Sequence, residues 1–370
     1  MRLLNSRYSD LVKDVKQKNK KIVVYGAGMI GQVVVPYIIE KYELQEYVTC
    51  FVDMDKSKKG QKIKVGEFEY EIFRPDILRD EMKNLVILIT NSKFYEVVEF
   101  LDSIEEIKNA EGYVIPMMQI YELQFVSASS IKRLSEVPLI PKKIHYCWFG
   151  GKELPKFLLE CIESWKHLCP DYQIIEWNES NYDITKIPYV KEAYENRKYG
   201  FVTDVARLDI LYEYGGIYMD TDVLLYKNLD ELLYQPAFVG VEKWGNINTG
   251  GGVGAVAGHP MIKELLDYRK MFHFILEDGR LNIETNGLYE TIPFVRHGMK
   301  VDNSMQIING MTVYPWYIFH PYDYMSCEKR TEESTISMHC FYGGWMEEKE
   351  LKSRSITQEK YNRIWRRMNS

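Results

Sequence analysis

The sequence is short of cysteine, of positive charge and of long apolar runs, and each shortage removes a class of protein. Its six cysteines in 370 residues are scattered without a C-x-x-C pair. Reduced thiols of a cytosolic protein are the expectation. A net charge of −6 argues against a nucleic-acid partner, whose phosphates ask for a basic footprint. Low-complexity tracts and internal repeats are missing. The opening MRLLNSRYSDLVKDVKQKNK lacks the apolar centre of a secretory signal. One run, Ile22 to Ile39, is apolar enough to suggest a membrane span, but Gly26, Gly28, Gly31, Gln32 and Pro36 interrupt it.

What remains is globular: 46% hydrophobic and 27% charged residues, in a length that suits about two domains. Charge is uneven. Residues 131–348 hold 22 basic and 31 acidic side chains, whereas the last 22 residues hold 7 basic and 2 acidic. An acidic middle suits a metal cation and a basic tail an anionic surface, though solvated faces would look the same.

Strand-like and helix-like stretches alternate from the start, which argues for parallel α/β sheets. A helix-like segment with Leu3, Leu4, Tyr8, Leu11 and Val15 precedes a buried strand, Lys21–Tyr25, a tight turn, Gly26–Gly31, and a helix, Gln32–Tyr42. Further strands are expected at 49–55, 84–90 and 112–115, with Pro116 closing the unit near residue 120. After a connecting segment at 123–139, a second α/β unit starts with a strand in IPKKIHYCWFGG. The expected layout is 1–122, 123–139, 140–348 and a basic C-terminal helix, 349–370.

The informative stretch is GGIYMDTDV, residues 215–223. On an extended strand Asp220 and Asp222 share a face. Two carboxylates side by side repel each other and are costly to bury without a cation. Mg²⁺ or Mn²⁺, which take oxygen ligands and keep positions open for phosphate, would meet that need. Asp204 and Arg207 lie three apart on the preceding helix. By themselves they read equally as a local ion pair worth a few tenths of a kcal/mol.

Together, IHYCWFGG, DVARLDILYEYGGIYMDTDV and INTGGGVGAVAGHP resemble the family 32 glycosyltransferases with a D-x-D motif, over roughly residues 140–345. The likeness is greatest to the branch linked to bacterial capsular polysaccharide. The spacing is also similar to that of the glucosylating clostridial toxins. The resemblance implies a GT-A fold, a nucleotide-sugar donor (a UDP-sugar by preference), a divalent metal, a glycan or lipid-linked acceptor, and retention at the anomeric carbon. It implies Asp222 as direct metal ligand and Asp220 as contact to ribose and the metal's water shell. Asp204 and Arg207 would grip donor hydroxyls, with Tyr218 and Asn248 in the same pocket and Trp148 stacked on the base. In SMHCFYGGW, His339 would reach the metal or diphosphate and Trp345 the β-phosphate. The glycine-rich 249–255 would offer an acceptor only its backbone.

GAGMIG places Gly26, Gly28 and Gly31 after a strand and before a helix, with Asp53 closing the next strand. This is the pattern of a Rossmann-like nucleotide site. A dinucleotide, a nucleotide-sugar or no ligand at all fit it equally. The expected fold is therefore α/β, a Rossmann-like domain followed by a GT-A-type domain. The rival functions are an NAD-dependent oxidoreductase or epimerase and a non-catalytic sugar-nucleotide sensor. A cytoplasmic protein is expected, peripheral to the membrane if Lys352, Arg354, Lys360, Arg363, Arg366 and Arg367 meet anionic lipid with Trp365 at the interface.

Overall fold

The computed structural model describes residues 1–79, 84–123, 131–284, 286–343 and 348–368. The chain divides into two units, Met1–Val126 with Arg354–Ser370, and Ser127–Ser353. Each is built on a seven-stranded sheet.

In the first unit the strands are β1 (Arg2–Leu4), β2 (Lys21–Tyr25), β3 (Val48–Val52), β4 (Lys62–Val65), β5 (Phe68–Phe73), β6 (Leu85–Ile89) and β7 (Glu111–Val114). Their order is β1-β7-β6-β2-β3-β5-β4, parallel throughout except for the β4–β5 edge hairpin. The runs KIVVY and LVILI are continuous in apolar residues because β2 and β6 are interior strands covered on both faces. The chain leaves β2 toward β3 and returns on the other side at β6, so the strand order reverses beside the glycine turn. That is where open α/β sheets leave a crevice.

The glycines there serve different ends. Gly26 has φ +113°, and its carbonyl accepts from the Thr90 hydroxyl at 2.7 Å. A Cβ on Gly31 would fall 1.9 Å from the Gly26 carbonyl oxygen, whereas one on Gly28 would meet nothing within 4 Å. Asp53 turns its carboxylate onto the turn itself. It accepts from Ala27 N at 2.7 Å and Asp55 N at 2.8 Å, and pairs with Lys58 at 3.0 Å.

Two expectations for this unit need correction. Leu3 and Leu4 do not extend the first helix, Tyr8–Lys18; they form β1 and pair with β7. Pro116 does not end the unit but lies in the first turn of helix Ile115–Leu123, where a missing N–H leaves no bond unmade. The β4–β5 hairpin was not anticipated. In the C-terminal helix Glu348–Met368, Tyr361, Ile364 and Met368 are buried, with Tyr361 5.4 Å from the Phe94 ring. Arg363 pairs with Glu99 and Arg367 with Asp102, 2.9 Å apart. Two of the six cations assigned to a lipid surface are thus held by carboxylates of this unit.

The second unit has β8 (Lys143–Cys147), β9 (Gln173–Trp177), β10 (Gly216–Tyr218), β11 (Val223–Leu225), β12 (Ala237–Val241), β13 (Ile247–Ala255), β14 (Gln306–Ile308) and β15 (Met311–Tyr314). A small hairpin, β16 (Tyr322–Asp323) and β17 (Glu328–Lys329), and β18 (Ser337–His339) follow. The main sheet runs β14-β15-β12-β13-β10-β8-β9, and β11 pairs separately with β18. Because β9, β8 and β10 are parallel, residues that follow β8 and β10 emerge from one edge. Trp148 and Asp220 are such residues. Residues 131–139 run along this unit, with Leu134 N donating to Tyr234 O at 2.8 Å and Leu139 N to Leu233 O at 2.7 Å.

Gly31→Ala forces the Gly26–Gly31 contact apart and is expected to destabilise the first unit by about 3 kcal/mol. Gly28→Ala is expected to change stability by less than about 0.5 kcal/mol. Urea unfolding of the two variants checks both, and equal midpoints would refute this packing of the turn.

Candidate functional site

Helix Tyr199–Tyr214 carries Asp204 and Arg207 and ends at Gly215. Gly215 and Gly216 have φ of +60° and +104°. Side chains are excluded there, because a Cβ on Gly215 would lie 2.7 Å from Ala257 N and one on Gly216 2.8 Å from His145 Nε2. His145 fastens this turn. Its Nδ1 accepts from the Trp177 indole at 3.0 Å, so Nε2 carries the proton and donates to Gly215 O at 2.8 Å. Burial lowers the His145 pKa to about 4, against the pull of the Gly215 bond.

The two aspartates do not lie on a strand. They occupy a turn between β10 and β11, closed by Val223 N donating to Asp220 O at 3.1 Å. Asp220 N donates to Gly250 O at 2.8 Å, and Cys340 N donates to Asp222 O at 3.0 Å. One aspartate is thereby tied to β13 and the other to the segment after β18. Backbone ties, rather than strand alternation, bring the carboxylates together.

Asp220 Oδ1 accepts from the Tyr218 hydroxyl at 2.8 Å and faces Arg207 Nη2 at 3.4 Å. Asp222 Oδ1 lies 3.2 Å from His339 Nε2, and its Oδ2 accepts from Tyr342 N at 2.7 Å. His339 Nε2 is 3.8 Å from Asp220 Oδ2. One ligand atom from each of Asp220, Asp222 and His339 lies within 4.8 Å of the others. Burial opposes charge on His339, yet Asp222 and then Asp220 outweigh it and its pKa is raised. Burial likewise opposes ionisation of Asp222, and His339 with the Tyr342 N–H outweighs it, so that pKa is lowered. Two carboxylates and an imidazole in this proximity fit a divalent cation such as Mn²⁺ or Mg²⁺. The His339 ring is stacked on Phe341, centroids 4.1 Å apart, with Nε2 toward the aspartates, and its buried Nδ1 has no hydrogen-bond partner among the described residues.

Arg207 is no surface ion pair; its side chain is 4% exposed. It reaches Asp204 Oδ1 at 2.6 Å, Asp220 at 3.4 Å and Thr249 Oγ1 at 3.3 Å, and lies 5.1 Å from the Tyr218 ring centre. Burial raises the Asp204 pKa, and Arg207 and Arg269 restrain the rise. Arg269 is itself buried between the rings of Tyr189 and Tyr289, at 4.6 and 4.1 Å.

The glycine-rich strand behaves differently from expectation. Residues 249–255 are buried, so they offer no exposed backbone to an acceptor. Gly250 instead makes room for the site: a Cβ there would sit 2.2 Å from Asp220 Oδ2 and 2.9 Å from Arg207 Nη1. Asn248 uses its Oδ1 to accept from Gly250 N at 2.9 Å and Gly251 N at 3.3 Å. Trp148 is half-buried just past β8, its indole donating to Lys152 O at 2.5 Å. Trp345 lies outside the described residues. The structure thus brings together Asp204, Arg207, Tyr218, Asp220, Asp222 and His339, with Asn248 beside them. Gly26, Gly28, Gly31 and Asp53 belong to the other unit. Thr249, Arg269 and Glu290 escaped sequence reading. Thr249 lies inside a quoted motif, but no spacing rule singles out the other two.

Residues 155–239 match the family model described as a glycosyltransferase sugar-binding region containing a DXD motif. The chain is 33% identical over 139 residues to inositol phosphoceramide mannosyltransferase 3 of Schizosaccharomyces pombe, covering 36% of this chain and 38% of that protein. It is 34% identical over 139 residues to a mannosyl phosphorylinositol ceramide synthase of Saccharomyces cerevisiae, 36% of each. The chain therefore spans little more than a third of the length of these relatives. Among solved structures, the PaToxG glycosyltransferase is similar at 17% identity and a TM-score of 0.36, over 54% of this chain and 80% of that one. The matched region holds Asp204, Arg207, Tyr218, Asp220 and Asp222, whereas Trp148, Asn248 and His339 lie beyond it.

Arg207→Met would leave Asp204 and Asp220 facing each other without their shared cation. A loss of about 3–5 kcal/mol in urea unfolding is expected, where an exposed pair would lose under about 0.5 kcal/mol. For His145, the folded-state pKa is depressed below the ordinary value, so the unfolded chain binds the extra proton first as pH falls. Its stabilising contribution is full above pH ~6.5 and declines toward pH ~4, by up to about 3 kcal/mol. His145→Gln should show a correspondingly smaller loss between pH 7 and 4.5 than the parent; parallel profiles would refute the neutral buried imidazole.

Proposed function

We propose that this chain is a metal-dependent glycosyltransferase that moves a hexose from a nucleotide-sugar to a saccharide or lipid-linked acceptor. The observation that carries this is the convergence of Asp204, Arg207, Asp220, Asp222 and His339 in one nearly buried cluster. Most of that cluster falls inside the region matching the D-x-D sugar-binding family. On this reading the second unit is GT-A-type. The first is Rossmann-like, an assignment supported by its strand order and glycine turn.

Asp220, Asp222 and His339 would hold the cation, Mn²⁺ or Mg²⁺. When bound, such a cation supplies positive charge at the diphosphate leaving group, stabilisation of several kcal/mol for the departing charge. The chain's own residues do the rest. Arg207, anchored from several sides, presents its remaining guanidinium edge to donor hydroxyls. The Asp204 carboxylate, paired with Arg207, would stabilise positive charge as the sugar becomes oxocarbenium-like. Its close pairing with Arg207 makes it a poor nucleophile, so if configuration is retained, same-face attack is the favoured route over a covalent glycosyl-enzyme. Trp148, on the edge shared with Asp220, would stack on the base.

The relatives' names speak of mannose and of inositol phosphoceramide. They put mannose first among the hexoses and a lipid-linked acceptor ahead of a capsular saccharide. A cytoplasmic protein working at the membrane surface fits such an acceptor. Among the described residues no helix is long and apolar enough to cross a membrane.

A panel of UDP- and GDP-linked hexoses, with and without Mn²⁺, tests the reading through release of the nucleoside diphosphate. Metal-dependent release from at least one donor is expected, with Asp222→Asn reducing it by roughly 10²–10³-fold. Release that persists in chelator, or survives in Asp222→Asn, would overturn it. Nicotinamide turnover would point to an oxidoreductase instead.

A further inference from the structure

Helix Asn286–Arg296 turns one acid wholly inward. Glu290 has no exposed surface, yet its carboxylate is well supplied with donors. Oε2 accepts from Thr249 N at 2.9 Å, and Oε1 accepts from both the Thr249 hydroxyl and the Asn286 amide. The Thr249 hydroxyl has one proton and gives it to Glu290, so a lone pair remains to accept from Arg207 Nη1 at 3.3 Å. The direction of the chain is thereby set: Arg207 to Thr249 to Glu290.

Each nitrogen of the Arg207 guanidinium has its own partner. Nε donates to the Thr203 carbonyl at 3.2 Å and Nη2 lies between Asp204 at 2.6 Å and Asp220 at 3.4 Å, so Thr249 is what holds the Nη1 end. A planar fork held at every nitrogen keeps one orientation. An uncharged Thr249 transmits the restraint without adding a charge next to the two aspartates. Burial pushes the Glu290 pKa up to about 7, against the pull of Arg207 and the Thr249 bonds. The arrangement of three donors on the carboxylate suits its ionised form.

We propose that Glu290 is a positioning residue of the transferase site, fixing the guanidinium of Arg207 through the Thr249 hydroxyl. The inference rests on the glycosyl-transfer reading for its kinetic consequence, but not for the chain of contacts itself. Glu290→Gln keeps the shape and places an amide NH₂ where one of the donors must be accepted. It is expected to lower kcat by roughly 10–100-fold, because small misplacements of a substrate-gripping group cost rates of that order. KM for the donor and binding of the free nucleoside diphosphate should stay within about twofold of the parent. Thr249→Val should lose as much as Glu290→Gln, and Thr249→Ser, which keeps the hydroxyl, should recover most of it. The double variant Thr249→Val with Glu290→Gln should be no worse than either single change.

A second arm needs no turnover. The Arg207 side-chain N–H resonance in ¹⁵N spectra, assigned by its loss in Arg207→Lys, should shift in Glu290→Gln and in Thr249→Val but much less in Thr249→Ser. A folded Glu290→Gln variant with parental kcat, additive losses in the double variant, or an unmoved Arg207 resonance would each overturn the proposal. A parent with no donor cleavage but with the Arg207 resonance shifting as described would instead refute the glycosyl-transfer reading and leave the positioning chain standing.

Discussion

Two carboxylates close together and nearly out of water are the constraint from which the rest of the second unit follows. Asp220 and Asp222 come near enough for one cation to touch both, and repulsion at that range is costly where solvent cannot screen it. The fold answers with a cation on each side, Arg207 against Asp220 and His339 against Asp222. Neither cation comes from the turn that carries the aspartates. One is delivered by the helix before it and the other by a strand more than a hundred residues later. A site of this kind exists only when the unit has folded around it.

Space is the second demand, and glycine meets it. Asp220 and Arg207 can meet because residue 250 has no side chain, and the helix can reverse into β10 because residues 215 and 216 tolerate positive φ. The His145 imidazole then takes the room left beside Gly216 and bonds the turn's carbonyl. Substituting Gly250 would strike the Asp220 carboxylate directly, whereas substituting Gly215 or Gly216 would act on the carboxylates through the backbone that aims them. The glycine run after Asn248 thus answers to internal packing, and an outward-facing recognition role is closed to it by burial.

The sequence made some of this legible and hid the rest, for physical reasons. Interior strands such as β2 and β6 announce themselves as unbroken apolar runs, and the helix bearing Asp204 and Arg207 ends where its paired glycines say. The β4–β5 hairpin alternates across an edge and was passed over. Leu3 and Leu4 carry no local mark of whether they continue a helix or pair with a strand a hundred residues away. Pairing of Asp204 with Arg207 was readable from an i,i+3 spacing, but its burial was not, because burial depends on Thr249 and Tyr218 arriving from other elements. The D-x-D pair was recognised for a reason that the fold does not use. A turn tied to β13 and to the segment after β18 replaces the shared face of a strand. Glu290 and Arg269 had no motif at all, since their partners are set only by packing.

The acids and bases of the cluster fall into two groups by geometry. Asp204 and Asp220 face Arg207, with Glu290 behind it through Thr249, and Asp222 faces His339, with Glu242 close by. On the proposed reading, a divalent ion held by Asp220, Asp222 and a neutral imidazole would take the place of the His339 proton. The arginines could not be replaced in the same way. Arg207 holds a planar fork among Asp204, Asp220 and Thr249, and Arg269 lies between two tyrosine faces, positions that ask for a delocalised, always-charged group. The cluster thus separates two kinds of cation by geometry. Fixed guanidinium groups lie on the Asp204 side, and on the Asp222 side the facing base is the titratable His339 imidazole.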